Sequence, residues 1–135
     1  MFDGGSRGNP GPAGCGFVIY QHDPQLLLPQ VLYEGSEYIG TQTNNYAEYM
    51  ALILGLEKAH SLGIKNIIVK GDSLLVIKQL KREYKVSSEN LKELFEKANA
   101  ASSKYNSIDF KHVKRTHNKV ADALANNAMD NPNKI

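Results

Sequence analysis

Four carboxylates stand out by where they sit in the chain. Asp3 follows Met1 and Phe2 and opens onto the stretch GGSRGNPGPAGCG. Asp72 follows the apolar run Ile67, Ile68, Val69 and precedes a helical pattern. Glu48 lies in NNYAEYMALILGL and Asp122 in KVADALAN, both among apolar or small neighbours. Taken singly, an acid near a helix N-terminus complements the macrodipole, and an Asp at a strand end is an ordinary turn residue. Taken together they ask for more, because acids in apolar settings need a partner or a metal. An all-oxygen set without zinc-type ligands suits Mg²⁺ or Mn²⁺. Two such ions roughly 3.5–4 Å apart can activate a water and stabilise the leaving oxygen in phosphodiester hydrolysis.

The elements that must position these acids follow from pattern. Residues 4–16 are rich in glycine and proline and predict a structured turn after a first strand of only two or three residues, a stub or the end of a strand that lacks some residues. Strands are expected over 15–21 and 30–39, joined by 22–29, with Val31, Tyr33 and Tyr38 facing inward. Thr43 or Asn44 caps a long helix whose apolar face carries Tyr49, Leu52, Ile53, Leu56 and Ala59, and Gly63 ends it. A buried strand over 66–71 follows. A strand reached through a crossover helix has a parallel neighbour. Helices are expected over 73–81 and 89–104, a last strand over 108–113, and a closing helix over 118–131 capped by Asn118. Three strands followed by helix–strand alternation indicate a mixed α/β sheet with helices on its faces.

Length and composition narrow the function. The chain has 135 residues, 41% hydrophobic and 22% charged, which fits one domain over 1–135 able to bury a core unaided. The single cysteine, Cys15, excludes an internal disulfide and a cysteine zinc site, and a reduced, cytoplasmic setting is expected. No secretion signal is visible, and the apolar runs are far too short to cross a bilayer, so no membrane association is expected. The net charge is +2, which taken alone argues against a strongly basic nucleic-acid binder. Setting the four acids aside leaves sixteen basic side chains against ten acids, a moderately basic frame around an acidic centre.

The segments FDGGSRGNPGPAG, TNNYAEYMAL, VKGDSLLVIKQL and RTHNKVADALAN, in this order, make the chain resemble the type 1 ribonuclease H family, in the compact branch without a basic protrusion. The resemblance covers nearly the whole chain. It implies the ribonuclease H-like fold, a five-stranded mixed sheet in the order 3-2-1-4-5 flanked by helices. It implies hydrolysis of the RNA strand of RNA–DNA hybrids with two Mg²⁺ ions, or Mn²⁺ in their place, leaving 5′-phosphate and 3′-hydroxyl ends. Asp3, Glu48, Asp72 and Asp122 match the family's metal-binding acids. Asn9, Asn44 and Asn45 match positions that contact the hybrid's minor groove, where 2′-hydroxyls are displayed. The glycine-rich loop from Gly8 to Gly14 and the backbone near Cys15 would approach the RNA strand, and Thr43 matches a residue that grips a DNA-strand phosphate.

The chain also departs from larger relatives. It has no Trp, and residues 81–85 run almost directly into 87–89, so the protrusion is absent and Lys78, Lys81, Arg82 and Lys85 are left as candidate phosphate contacts. Arg115, in preference to His117, is expected to take the role of a mobile histidine that assists proton transfer or product release. A monomer without obligate protein partners is expected. Two alternatives are a non-catalytic hybrid- or RNA-binding module on the same fold, which the intact acids disfavour, and a different two-metal phosphoryl-transfer enzyme.

Overall fold

The glycines after Asp3 do not break the chain into a turn. In the computed structural model, which describes residues 1–132, β1 spans Phe2–Ser6 and β2 spans Gly11–Gln21. They pair antiparallel from Phe2↔Phe17 to Ser6↔Ala13. The expected turn over 4–16 therefore shrinks to residues 7–10, closed by Arg7 N–H donating to Pro12 O at 2.8 Å. Asp3 is the second residue of a five-residue strand, not the end of a stub.

The reason for the glycines lies on either side of the sheet. A Cβ at Gly4 would sit 2.2 Å from Ala47 O of the first helix, and one at Gly16 would sit 2.3 Å from Ala121 O of the last. Only a residue without a side chain lets backbone approach backbone this closely. Successive residues of a strand face opposite sides. Cys15 accordingly turns its Sγ to Ala47 O while its neighbours Gly14 and Gly16 face the last helix.

β3 (Gln30–Gln42) pairs antiparallel with β2 and forms an edge of the sheet. Val31 and Tyr33, expected inside, are exposed on this edge strand. Tyr33 instead stacks on Phe17 and lies beneath Lys58 Nζ, 4.3 Å from the ring centre.

α1 (Asn44–Ser61) starts at Thr43, whose Oγ1 accepts from Tyr46 N–H at 3.2 Å, so Thr43 and not Asn44 is the cap. It ends in a Schellman arrangement at Gly63, φ +84°, with Ile64 N–H donating to Ala59 O at 3.2 Å. β4 (Asn66–Gly71), α2 (Leu74–Leu80), α3 (Glu89–Ser102), β5 (Ser107–His112), a 3-10 turn (Arg115–His117) and α4 (Lys119–Asp130) complete the described chain.

The sheet order is β3-β2-β1-β4-β5, with β1–β4 and β4–β5 parallel, as the resemblance implied. β4 pairs with β5 along its whole length but with β1 at one position only, Phe2↔Gly71. α1 and α3 pack together, α1 over β1 and β2, and the core between them and the sheet holds Phe17, Tyr49, Leu52, Ile77, Leu94 and Ala98. Ile68, expected in a buried strand, is 55% exposed, because α4 covers β1 to β3 and leaves the outer side of β4 open.

Candidate metal centre

Parallel pairing puts Gly71 beside Phe2, so Asp72, the next residue, emerges from β4 beside Asp3 on β1. This is the carboxyl end of adjacent parallel strands, where an open α/β sheet leaves a crevice. The close contact at Gly4 brings the first turns of α1 down on the same point. Gly4 N–H donates to Glu48 Oε1, which fixes the carboxylate above the sheet. One oxygen from each of Asp3, Glu48 and Asp72 lies within 4.8 Å of the others. Asp3 and Glu48 are buried and Asp72 is partly exposed, so the cluster has a closed floor and an open mouth.

Burial and mutual repulsion oppose the charged forms here. Desolvation, together with the Asp72 and Asp122 carboxylates, pushes the Asp3 carboxyl up from 3.8 to about 7, against a hydrogen bond with Glu48 that lowers it. Glu48 is pushed well above its ordinary value, by burial first and then by Asp3. The pair therefore shares a proton into the neutral range. Glu48 Oε2 is buried without a hydrogen-bond partner among the described residues. An orphaned acceptor in an all-carboxylate cluster fits a hard cation, which takes oxygen ligands and supplies the missing positive charge.

Asp122 arrives from the other face. Because Gly14 and Gly16 let α4 rest directly on β2, its first turn reaches the edge of the cluster, close enough for Asp122 to act on Asp3 by hydrogen bond and charge. Asp122 stands outside the group of three. Its Oδ1 is 3.5 Å from Arg115 Nη2, and the Arg115 side chain is 79% exposed. His117, in the same 3-10 turn, is exposed.

Asn118 occupies the cap position of α4 but its side chain makes no capping bond. It is 1% exposed, and its Nδ2 donates to Phe2 O at 2.8 Å and to Asp72 Oδ2 at 3.3 Å. The expected cap is instead a tie between α4, β1 and the carboxylate cluster. The signal was present in the sequence: Asn118 falls three and seven residues before Ala121 and Ala125, on the buried face of the helix. His112 Nε2 lies 3.3 Å from Asp72 O.

The remaining sequence candidates form a second patch. Asn9 Oδ1 accepts from Asn44 N–H at 3.0 Å, and Asn44 Oδ1 accepts from Ser6 N–H at 2.8 Å and from Ser6 Oγ at 3.0 Å. Thr43, Asn44 and Asn45 are exposed at the start of α1 beside the 7–10 turn. Cys15 is not part of this surface. Its side chain is fully buried toward α1, and burial raises its thiol above the ordinary range, so a side-chain contact with substrate is excluded. Lys78 is held by Glu83 at 3.0 Å, whereas Lys81, Arg82 and Lys85 stay exposed.

Comparison with known proteins gives a consistent picture. A family described as Reverse transcriptase-like matches residues 1–128. A bifunctional protein of Mycobacterium tuberculosis is 45% identical over 128 residues, which is 95% of this chain and 34% of that protein. A protein named Ribonuclease HI from Halobacterium salinarum is 42% identical, over 96% of this chain and 62% of its own length. The chain thus spans about a third of the mycobacterial relative and under two thirds of the halobacterial one. The crystal structure of ribonuclease H1 from Halobacterium salinarum superposes with a TM-score of 0.91 at 42% identity, covering 96% of this chain and 95% of that one. The LC11 ribonuclease H1, solved in complex with RNA/DNA hybrid, gives 0.87 at 40% identity over 98% and 96%.

Proposed function

The chain belongs to the ribonuclease H family, type 1 class, and from that premise we propose that it is a divalent-metal-dependent endonuclease that hydrolyses the RNA strand of RNA–DNA hybrids. The observation that carries the reading is the convergence of Asp3, Glu48 and Asp72 within 4.8 Å at the sheet's crevice. Asp3 and Asp72 form the shared centre, Glu48 holds one side and Asp122 the other. Two Mg²⁺ ions, or Mn²⁺, bound there would supply Lewis-acid stabilisation of the phosphoryl oxygens and a water of lowered pKa.

The protein's own groups do the rest. Gly4 N–H holds the Glu48 carboxylate, and Asn118 holds that of Asp72, so the oxygens are in place before substrate arrives. The shared proton of Asp3 and Glu48 leaves when the site is loaded, which makes metal binding tighter as pH rises. Asn9, Asn44 and Asn45 lie on one exposed patch with hydrogen-bonding side chains suited to minor-groove 2′-hydroxyls, and Thr43 stands where a DNA-strand phosphate would be gripped. Arg115 reaches Asp122 from solvent, a position suited to the departing 3′-hydroxyl or the 5′-phosphate.

The test is cleavage of labelled RNA–DNA hybrid, duplex RNA, duplex DNA and single-stranded RNA, with and without Mg²⁺. The expected result is cleavage of the hybrid's RNA strand alone, metal-dependent, with 5′-phosphate and 3′-hydroxyl products and a loss of at least 100-fold in Asp72→Asn, by analogy with ligand-shell losses of roughly that order. Hybrid binding without cleavage in Mg²⁺ or Mn²⁺ would instead establish the non-catalytic module.

A further inference from the structure

The positive charge of the chain is concentrated away from α2. Residues 78–97, which hold the candidate phosphate contacts of α2 and the segment after it, carry six Lys and Arg against four acids. Residues 104–119 carry five against Asp109 alone. This second group belongs to β5 and the segments flanking it, and β4 places Lys70 beside it.

Lys70 and Lys111 stand directly opposite each other in the parallel β4–β5 ladder, on strands about 4.8 Å apart. Side chains alternate along a strand. Val69 and Phe110 pack on the core, so both lysines face the outer side of the sheet, beyond the strands that α4 covers. Like charges directly opposite repel, and no acid offsets these. Neither lysine has an ion pair among the described residues. Asp109, on the same face, turns its Oδ1 to Phe110 N–H at 2.9 Å. Lys65 and Lys104, exposed, precede the two strands, and Lys114, also exposed, follows β5. Lys70 lies two residues, roughly 7 Å of strand, before Asp72. The result is a strip of lysines that starts at the carboxylates and runs down the outer face.

We propose that this face of β4 and β5 carries an unpaired extension of the RNA strand away from the crevice, with Lys70 and Lys111 on its phosphates, an inference that rests on the hybrid-nuclease reading.

Uncompensated lysines fit a polyanion, and on that reading the adjoining crevice already takes one. The occupant is single-stranded because a duplex is stiff over tens of nanometres. A hybrid engaged by Asn9, Asn44 and Asn45 at the start of α1 does not also bend round to the other side of the sheet. The occupant is the RNA strand because that is the strand cut at Asp72.

The experiment measures binding by fluorescence anisotropy in Mg²⁺, with Asp72→Asn in every protein so that the RNA stays whole. The probes are a short blunt RNA–DNA hybrid and the same hybrid with about six unpaired nucleotides added to the 5′ end of the RNA, to its 3′ end, or to the DNA strand. One RNA extension should tighten binding, and the other two extensions should not. Two lysine contacts to a single strand give a salt slope of about 1.4, so the gain should shrink roughly 7-fold between 50 and 200 mM salt. Lys70→Gln with Lys111→Gln should abolish the gain and leave the blunt hybrid bound as before, and Lys70→Arg with Lys111→Arg should keep it. The glutamine pair should not lower Tm, because it relieves a repulsion, which separates a lost contact from a lost fold. No gain from either RNA extension, equal gains from all extensions, or a gain that survives the glutamine pair would overturn the proposal and leave the nuclease reading in place. Failure to bind the blunt hybrid at all would overturn that reading and the proposal with it.

Discussion

Replacing Asp3 by Asn should make the metal-free protein more stable at alkaline pH. The folded chain holds the Asp3 carboxyl's proton to about 7, whereas its ordinary value is 3.8. Each pKa unit corresponds to about 1.4 kcal/mol, so full ionisation of Asp3 opposes folding by up to ~4 kcal/mol. This is a ceiling, since the proton is shared with Glu48. The pH window follows from the sign. A carboxyl raised in the folded state favours folding below pH 3.8, where both states are protonated. That advantage fades as pH rises and is lost through about 7. An Asn carries no such term, so the gap between variant and wild type should be near zero at pH 4 and largest above pH 8. For a chain of this length ~4 kcal/mol corresponds to roughly 10–15 °C in Tm. The assay is thermal or urea unfolding in EDTA at pH 4.5, 6, 7.5 and 9. Saturating Mg²⁺ should then stabilise the wild type more than the variant, because it binds the folded state alone. A variant no more stable than wild type at pH 9, or a gap that does not change with pH, would show that the acid pair is not strained by its burial.

Asn118→Ala should weaken Mg²⁺ binding about 10-fold by calorimetry as the Asp72 carboxylate loses its donor; lost stability with unchanged metal affinity would reduce Asn118 to a packing role. Gly16→Ala should cost roughly 1–3 kcal/mol and depress kcat together, because its Cβ, 2.3 Å from Ala121 O, must lift α4 and Asp122 off the sheet. Gly55→Ala serves as the contrasting case: its Cβ meets Phe17 at an ordinary 3.5 Å inside α1, so unfolding experiments should show a gain of up to ~1 kcal/mol from helix propensity. Arg115→Ala should lower kcat more than it raises KM for the hybrid, and equal losses in a steady-state titration would make it a simple phosphate contact.

The element order was legible in the sequence because apolar spacing distinguishes helix from strand over α1, α3 and α4, and the sheet order followed from the resemblance. Three acids that meet in the structure, Asp3, Glu48 and Asp72, were legible as candidates by their places at element ends, and Glu48 and Asp122 also interrupt surfaces of small and apolar residues. The glycines were misread. Local chemistry reads GGSRGNPGPAGCG as a turn, but Gly4, Gly14 and Gly16 are set by helices distant in sequence, and nothing local reports that Ala47, Ala125 and Ala121 press on them in turn. Asn118 was misread in the same way, since capping is its local preference while Phe2 and Asp72 lie 116 and 46 residues away. Cys15 is buried on the face of β2 that meets α1.

The contacts at Gly4 and Gly16 bear on how this chain can change over time. They join main chain to main chain, so the spacing between α1, the sheet and α4 at the carboxylates does not depend on the size of any side chain. Residues such as Leu52, Ile77 and Leu94 deeper in the fold can be exchanged for others of similar bulk, and the layers there can shift by fractions of an ångström, while the helix ends stay pinned where the acids are. The glycines are the opposite case: no exchange at Gly4 or Gly16 is small, because the smallest one already meets a carbonyl oxygen. Drift in the interior and constancy at the crevice are thus separated by a few positions where the smallest residue is the only one admitted.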